Sequence, residues 1–115
     1  LFMRLRPGLD LAAETGGKNA MIVTDMADRD LAIKDMVHSA FGHNGQKCSA
    51  CSLAILEAAV YDDAHFRKQL KDAVESLKVG SCWEMANKVT PLIRAPSKEL
   101  LVGLTRLDPG FLVPC

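Results

Sequence analysis

Among 115 residues, Cys48 is the side chain best placed by its neighbours to do chemistry. It lies in GHNGQKCSA, behind a Gly-Gln-Lys turn and ahead of the small residues Ser49 and Ala50. A thiol there can attack a substrate, hold a metal or fill space. Attack requires the thiolate, and a free cysteine is mostly protonated at neutral pH; the adjacent Lys47 would favour the charged form. Ser49 and Ala50 leave room for a substrate, and the Cys48 N–H can support an oxyanion. A covalent intermediate must then be released by water, which needs a general base. Glu14, in AETGGKNA, is the carboxylate set in a glycine-rich loop. The plain alternative for Glu14 is a solvated side chain on a turn made by Gly16 and Gly17.

Other chemistries were weighed on the same residues. Gly-Gly-Lys invites a phosphate-loop reading, but Ala12 stands where that pattern wants its first glycine and Asn19 where it wants Ser or Thr. That reading fails. Cys48 and Cys51 have C-x-x-C spacing with His38 and His43 upstream, so a small zinc-stabilised interaction module is the alternative from a different class. Its weakness is geometric, because His38 sits on an expected helix and His43 beyond that helix's end. A redox C-x-x-C opens a helix after a strand, whereas this one precedes a strand. His65, Cys82, Cys115, Trp83 and the methionines read as packing or surface residues.

The elements that must position these residues are legible from periodicity. NAMIVTD and SLAILE are short apolar runs that suit parallel strands covered by helices. After the possible caps Asp25 and Asp28, the residues Ile33, Met36, Val37, Ala40 and Phe41 fall on one helical face that should end at Gly42. A second helix follows Asp62 and Asp63, with Phe66, Leu70, Ala73, Val74 and Leu77 as its stripe and Gly80 just past its end. A shorter helix is expected from Ser97, carrying Leu100, Leu101 and Leu104, and the stretch from Gly80 to Pro96 reads as a connector. Strand, helix, strand, helix is the order of an α/β layer arrangement.

Composition removes several function classes. Fourteen basic and fourteen acidic side chains cancel, and there are only six aromatics, which argues against nucleic acid or an anionic membrane as the main partner. No apolar run approaches the roughly 20 residues that span a bilayer. LFMRLRPGLD lacks the pattern of a signal peptide, so a cytoplasmic location with reduced thiols is expected. The chain begins with Leu and ends on DPGFLVPC, where a strand is expected to begin; an excised piece of a longer protein is the expectation.

ETGGKN and GQKCSA together resemble the two signature motifs of the aldehyde dehydrogenase superfamily, in the family's order, with Glu14 preceding Cys48 by 34 residues. ETGGKNAMIVTDMADRDLAIKDMVHSAFGHNGQKCSACS looks like the glutamate-semialdehyde (pyrroline-5-carboxylate) dehydrogenase branch, most like the dehydrogenase region of the proline utilisation A proteins. The resemblance runs on through KVGSCWEMANKVTPLIRAPS.

It implies an α/β fold, part of the three-layer catalytic domain of that family, over residues 1–115. It also implies oxidation of L-glutamate γ-semialdehyde to L-glutamate in proline catabolism. Cys48 matches the nucleophile that forms a thiohemiacetal, passes hydride to NAD and is left as a thioester. Glu14 matches the carboxylate that assists water in cleaving that thioester. Thr15 and Gly16 match cofactor-binding backbone positions near the nicotinamide. Ser49 matches a residue that helps hold the substrate carboxylate, and Lys47 is a second candidate for that task. No metal is implied. NAD would be bound mainly by regions outside these residues, since the dinucleotide-binding domain and the C-terminal part of the catalytic domain are missing. The parent is expected to be a homo-oligomer, with fusion to a flavin-dependent proline dehydrogenase domain left open. The segment alone is expected to be inactive, and strands made for a larger sheet should leave edges and apolar faces open.

Overall fold

A computed structural model describes residues 2–13 and 16–106. Glu14, Thr15 and the terminal DPGFLVPC segment lie outside the described residues, as does the side chain of Leu104. The order of elements is α1 (Phe2–Leu5), β1 (Asn19–Val23), α2 (Arg29–Phe41), a 3-10 turn (Gly42–Gly45), β2 (Cys51–Leu56), α3 (Ala58–Tyr61), α4 (Ala64–Glu75) and α5 (Lys98–Arg106). β1 and β2 pair in parallel, with α2 as the crossover, the arrangement that the alternating order demands.

Both long helices begin where a carboxylate can take up the free N–H groups of a first turn. Asp28 caps α2 by accepting from Leu31 N at 2.9 Å. Asp63 caps α4 by accepting from His65 N at 2.9 Å and Phe66 N at 3.2 Å. Asp25, the other candidate for α2, instead pairs with Arg29 at 2.8 Å. Arg29 also reaches Asp63 at 3.4 Å, joining the starts of α2 and α4. α2 ends at Gly42, whose N–H returns to His38 O. Ser97 Oγ accepts from Leu100 N at 3.2 Å at the head of α5.

The core is small: Val23, Ile33, Met36, Val60 and Phe66 are buried, and Met21, Val37, Leu56, Leu70 and Ala73 pack against them. Phe66 and Val60 are fully enclosed; removing each such side chain from water contributes about 1.5–3 kcal/mol. Val60 comes from α3, a single turn of helix between β2 and α4 that periodicity over so few residues does not reveal.

One face of the sheet is open, as strands made for a larger sheet should leave it. Met21, Val23, Ala54 and Leu56 face the helices, but Ile22, Leu53 and Ile55 remain 70%, 58% and 46% exposed on the other face. The register pairs Ala20 with Leu53 and Ile22 with Ile55, so one apolar face of the sheet is uncovered among the described residues. Runs apolar on both sides were composed for two layers of cover, and α2 and α4 supply one.

Candidate active site

Parallel pairing brings the amino ends of β1 and β2 side by side, and with them the segments that enter each strand. Residues 16–18 lead into β1, and the turn of residues 47–50 leads into β2. That turn is closed by Ala50 N donating to Lys47 O at 3.2 Å. Cys48 is exposed within it, as are Lys47 and Ser49, while Ala50 is buried beneath. Ala50 thus anchors the turn, and the three candidate side chains stand on its outer surface.

Asn19 ties the two segments together. Its Nδ2 donates to Cys48 O at 2.7 Å and to Ala50 O at 3.1 Å. Ser52 Oγ donates back to Asn19 O at 3.3 Å. The register slips here: Asn19 faces Cys51 but Ala20 faces Leu53, which leaves Ser52 as the extra residue of a bulge. Bulges bend a strand and re-aim its neighbours, and this one lies immediately after the turn that carries Cys48. Gly17 passes so close that a Cβ there would stand 3.2 Å from Cys48 O.

A second set of contacts holds the approach to the turn. His43 and Asn44 take left-handed backbone angles, with φ of 49° and 60°, and Gly45 follows at 69°. The Asn44 side chain is fastened to the 80–96 connector: Thr90 N donates to Asn44 Oδ1 at 2.8 Å, and Asn44 Nδ2 donates to Thr90 Oγ1 at 3.1 Å. Ile93 N donates to Gln46 Oε1 at 3.1 Å. On the far side, Cys51 N donates to Ser39 Oγ of α2 at 3.1 Å. The connector therefore braces the approach to the turn that carries Cys48, a role that its lack of periodicity concealed.

Among the described residues, no acceptor engages the Cys48 N–H, and neither Lys47 Nζ nor Ser49 Oγ makes a hydrogen bond or ion pair. Glu14 and Thr15, assigned from sequence to the base and to the cofactor, lie outside the described residues; Glu14 precedes Gly16 by two positions in the chain. Gly16 has nothing within 4 Å of where a Cβ would stand. Gly16 is the one described member of the expected cofactor set.

The zinc alternative finds no support in the geometry. His38, His43, Cys48 and Cys51 are all described, and no group of three metal-ligating side chains forms among the described residues. Cys48, Cys51 and Cys82 are free thiols. The sequence reading missed Asn19, Ser52, Asn44 and Gln46. In the sequence Asn19 stands out only as a mismatch to the phosphate-loop pattern; its place at the head of a strand, soon after two glycines, is the one signal that points to it.

The chain is 46% identical over 81 residues to a 1-pyrroline-5-carboxylate dehydrogenase of Geobacillus kaustophilus, covering 70% of the chain and 15% of that relative. Among solved structures, 1-pyrroline-5-carboxylate dehydrogenase from Thermus with bound NAD is 41% identical, with a TM-score of 0.64 over 71% of the chain and 15% of that protein. Succinate-semialdehyde dehydrogenase from Burkholderia pseudomallei is 36% identical, also with a TM-score of 0.64, over 70% of the chain and 16% of its own. The chain thus spans roughly one-sixth of the length of these relatives. The fold is that of part of their α/β catalytic domain. Residues 6–106, which include both strands and the turn between α2 and β2, match the aldehyde dehydrogenase family, and the chain belongs to that family.

Proposed function

We propose that this chain is the nucleophile-bearing part of an NAD-dependent dehydrogenase that oxidises L-glutamate γ-semialdehyde to L-glutamate. In this reading residues 1–115 form part of the catalytic domain, and the dinucleotide-binding domain and the remainder of the catalytic domain belong to other stretches of a longer protein. One observation carries the reading. An exposed thiol on a tight turn is fastened, through Asn19, beside the loop that follows Glu14.

The chemistry follows from the groups present. Cys48 Sγ attacks the aldehyde carbon, forming a C–S bond while the carbonyl π pair moves onto oxygen. The Cys48 N–H faces that developing charge, where a donor fixed in advance stabilises the transition state most. Lys47 and Ser49 flank the thiol and can receive the carboxylate at the far end of the substrate, a charge-assisted contact that favours glutamate semialdehyde over an uncharged aldehyde. NAD, when bound with its nicotinamide along Thr15 and Gly16, supplies the two-electron acceptor for the hydride leaving the tetrahedral carbon. The thioester left on Cys48 is then cleaved by water deprotonated by Glu14, releasing a carboxylate and the thiol. The preference for the semialdehyde of glutamate is supported by the names of the relatives and by the charge of Lys47.

Replacement of Cys48 tests the reading. In the intact protein, Cys48→Ala should lower NADH formation from glutamate semialdehyde by at least about 10³-fold, with NAD affinity unchanged. Turnover within tenfold of the wild type would overturn the assignment.

A further inference from the structure

We infer that Asn19 is a positioning residue of the reaction: its carboxamide fixes the Cys48–Ser49 peptide and so, together with the Ala50-to-Lys47 bond of the turn, sets the thiol and the oxyanion-binding N–H. The inference rests on the proposed role of Cys48 and goes beyond it.

Three features distinguish this amide from a strand-end hydrogen bond. One NH₂ group serves two carbonyls of the same turn, Cys48 O at 2.7 Å and Ala50 O at 3.1 Å. Those acceptors lie on either side of Ser49, so the bond pair clamps the whole turn. Cys48 O lies in the rigid Cys48–Ser49 plane, and the Cys48 N–H lies in the preceding Lys47–Cys48 plane, whose Lys47 O accepts from Ala50 N at 3.2 Å; with the planes on both sides of the Cys48 Cα held, the turn has little rotational freedom. The clamp is itself held from behind. Ser52 Oγ donates to Asn19 O at 3.3 Å across the bulge, and Asn19 lies in β1, whose register against β2 sets the buried Val23 beside the partly buried Leu56. Finally, Gly17 leaves the space that the clamp needs. A Cβ at residue 17 would lie 3.2 Å from Cys48 O, tighter than ordinary contact with the acceptor of the bond, and 3.5 Å from the donor Asn19 Nδ2, at ordinary contact.

This arrangement has a defined chemical consequence. Attack and hydride departure demand that sulfur, carbonyl carbon and oxyanion donor hold one geometry, and a displacement of about 1 Å can cost 10²-fold in rate. The side chain of Asn19 donates to the carbonyls of Cys48 and Ala50, and its assigned role involves no contact with substrate or cofactor. Its loss should therefore slow formation of the thioester while leaving NAD binding alone.

The test uses the intact protein with Asn19→Ala, Asn19→Asp and Gly17→Ala, reading the pre-steady-state burst of NADH, the NAD dissociation constant and the melting temperature. The burst rate should fall about 10- to 100-fold in Asn19→Ala, with NAD affinity within threefold. Asn19→Asp should be slower still, because a carboxylate sets negative charge against two carbonyl oxygens that need a donor. That order, Asn above Ala above Asp, is not expected of a residue that merely fills space, for which the isosteric Asp would be the milder change. Gly17→Ala, which leaves the amide in place and crowds the same carbonyl, should slow the burst in the same direction. Burst rates within threefold of wild type in both Asn19 variants would overturn the inference, as would Asn19→Asp faster than Asn19→Ala. Cys48→Ala is the control: if it retains turnover, the reading beneath this inference falls; if it is inactive while the Asn19 variants burst normally, only the role of Asn19 falls.

Discussion

At the scale of single residues, the turn that presents Cys48 depends on backbone angles that few side chains tolerate. Gly45 has φ of 69°, and a Cβ there would meet Ala40 O at 3.1 Å. Both conditions select glycine. His43 and Asn44 hold left-handed angles without that freedom, and Asn44 is retained there by its bonds to Thr90 and Pro91. Gly45→Ala should therefore destabilise the intact protein by about 1–3 kcal/mol, seen as a lower denaturant midpoint at unchanged slope. A midpoint equal to the wild type would show that the turn relaxes at no cost.

At the scale of elements, the starts of α2 and α4 form one electrostatic unit. The Asp63 carboxyl is held below its ordinary value of 3.8, chiefly because Phe66 N–H donates to it, with His65 N–H and the Arg29 charge adding to the effect against some desolvation. A carboxylate whose pKa is depressed by folding contributes stability that is fully present above the unfolded value and is lost as pH falls through the folded value. Asp63→Asn keeps a capping oxygen but removes the charge. The melting temperature of the variant should lie below that of the wild type near neutrality, and the gap should close as pH drops below 3.8. A gap that stays constant in acid would mean that Asp63 acts through its shape alone. The starts of both helices stand over the same core, so their fraying would loosen Phe66 and, with it, the packing of α4 on the strands.

At the scale of the whole molecule, the described residues form a two-stranded sheet covered on one side. Ile22, Leu53 and Ile55 stand together on the other side. An apolar sheet face of this kind favours association when nothing covers it. The isolated 115-residue chain should sediment as species larger than a monomer and dissociate on dilution, and Ile22→Lys with Ile55→Lys should shift it toward monomer. A wild-type chain that sediments as a monomer and melts cooperatively would count against this expectation. No helix among the described residues is long and apolar enough to cross a membrane, so the exposed face is not part of such a helix.

Much of this was written in the sequence because it depends on local rules. Periodicity and capping residues placed α2 and the starts of α4 and α5, glycine marked the end of α2, and β-rich apolar runs marked both strands; α4 stops at Glu75, so Leu77 and Gly80, read as its last stripe residue and its terminus, lie beyond it. The paired motifs around Glu14 and Cys48 gave the family, because residue types at fixed separation are themselves sequence information. α1 and α3 escaped, each being one turn long and too short for a period to show. What only the tertiary structure decided was the company that Cys48 keeps. Asn19 is 29 residues away from it, Thr90 lies 46 residues from Asn44, and neither pairing follows from spacing. They arise because parallel pairing of β1 with β2 fixes a register through buried side chains, and that register, with its bulge at Ser52, brings an amide at one strand's start onto the carbonyls of the turn beside it.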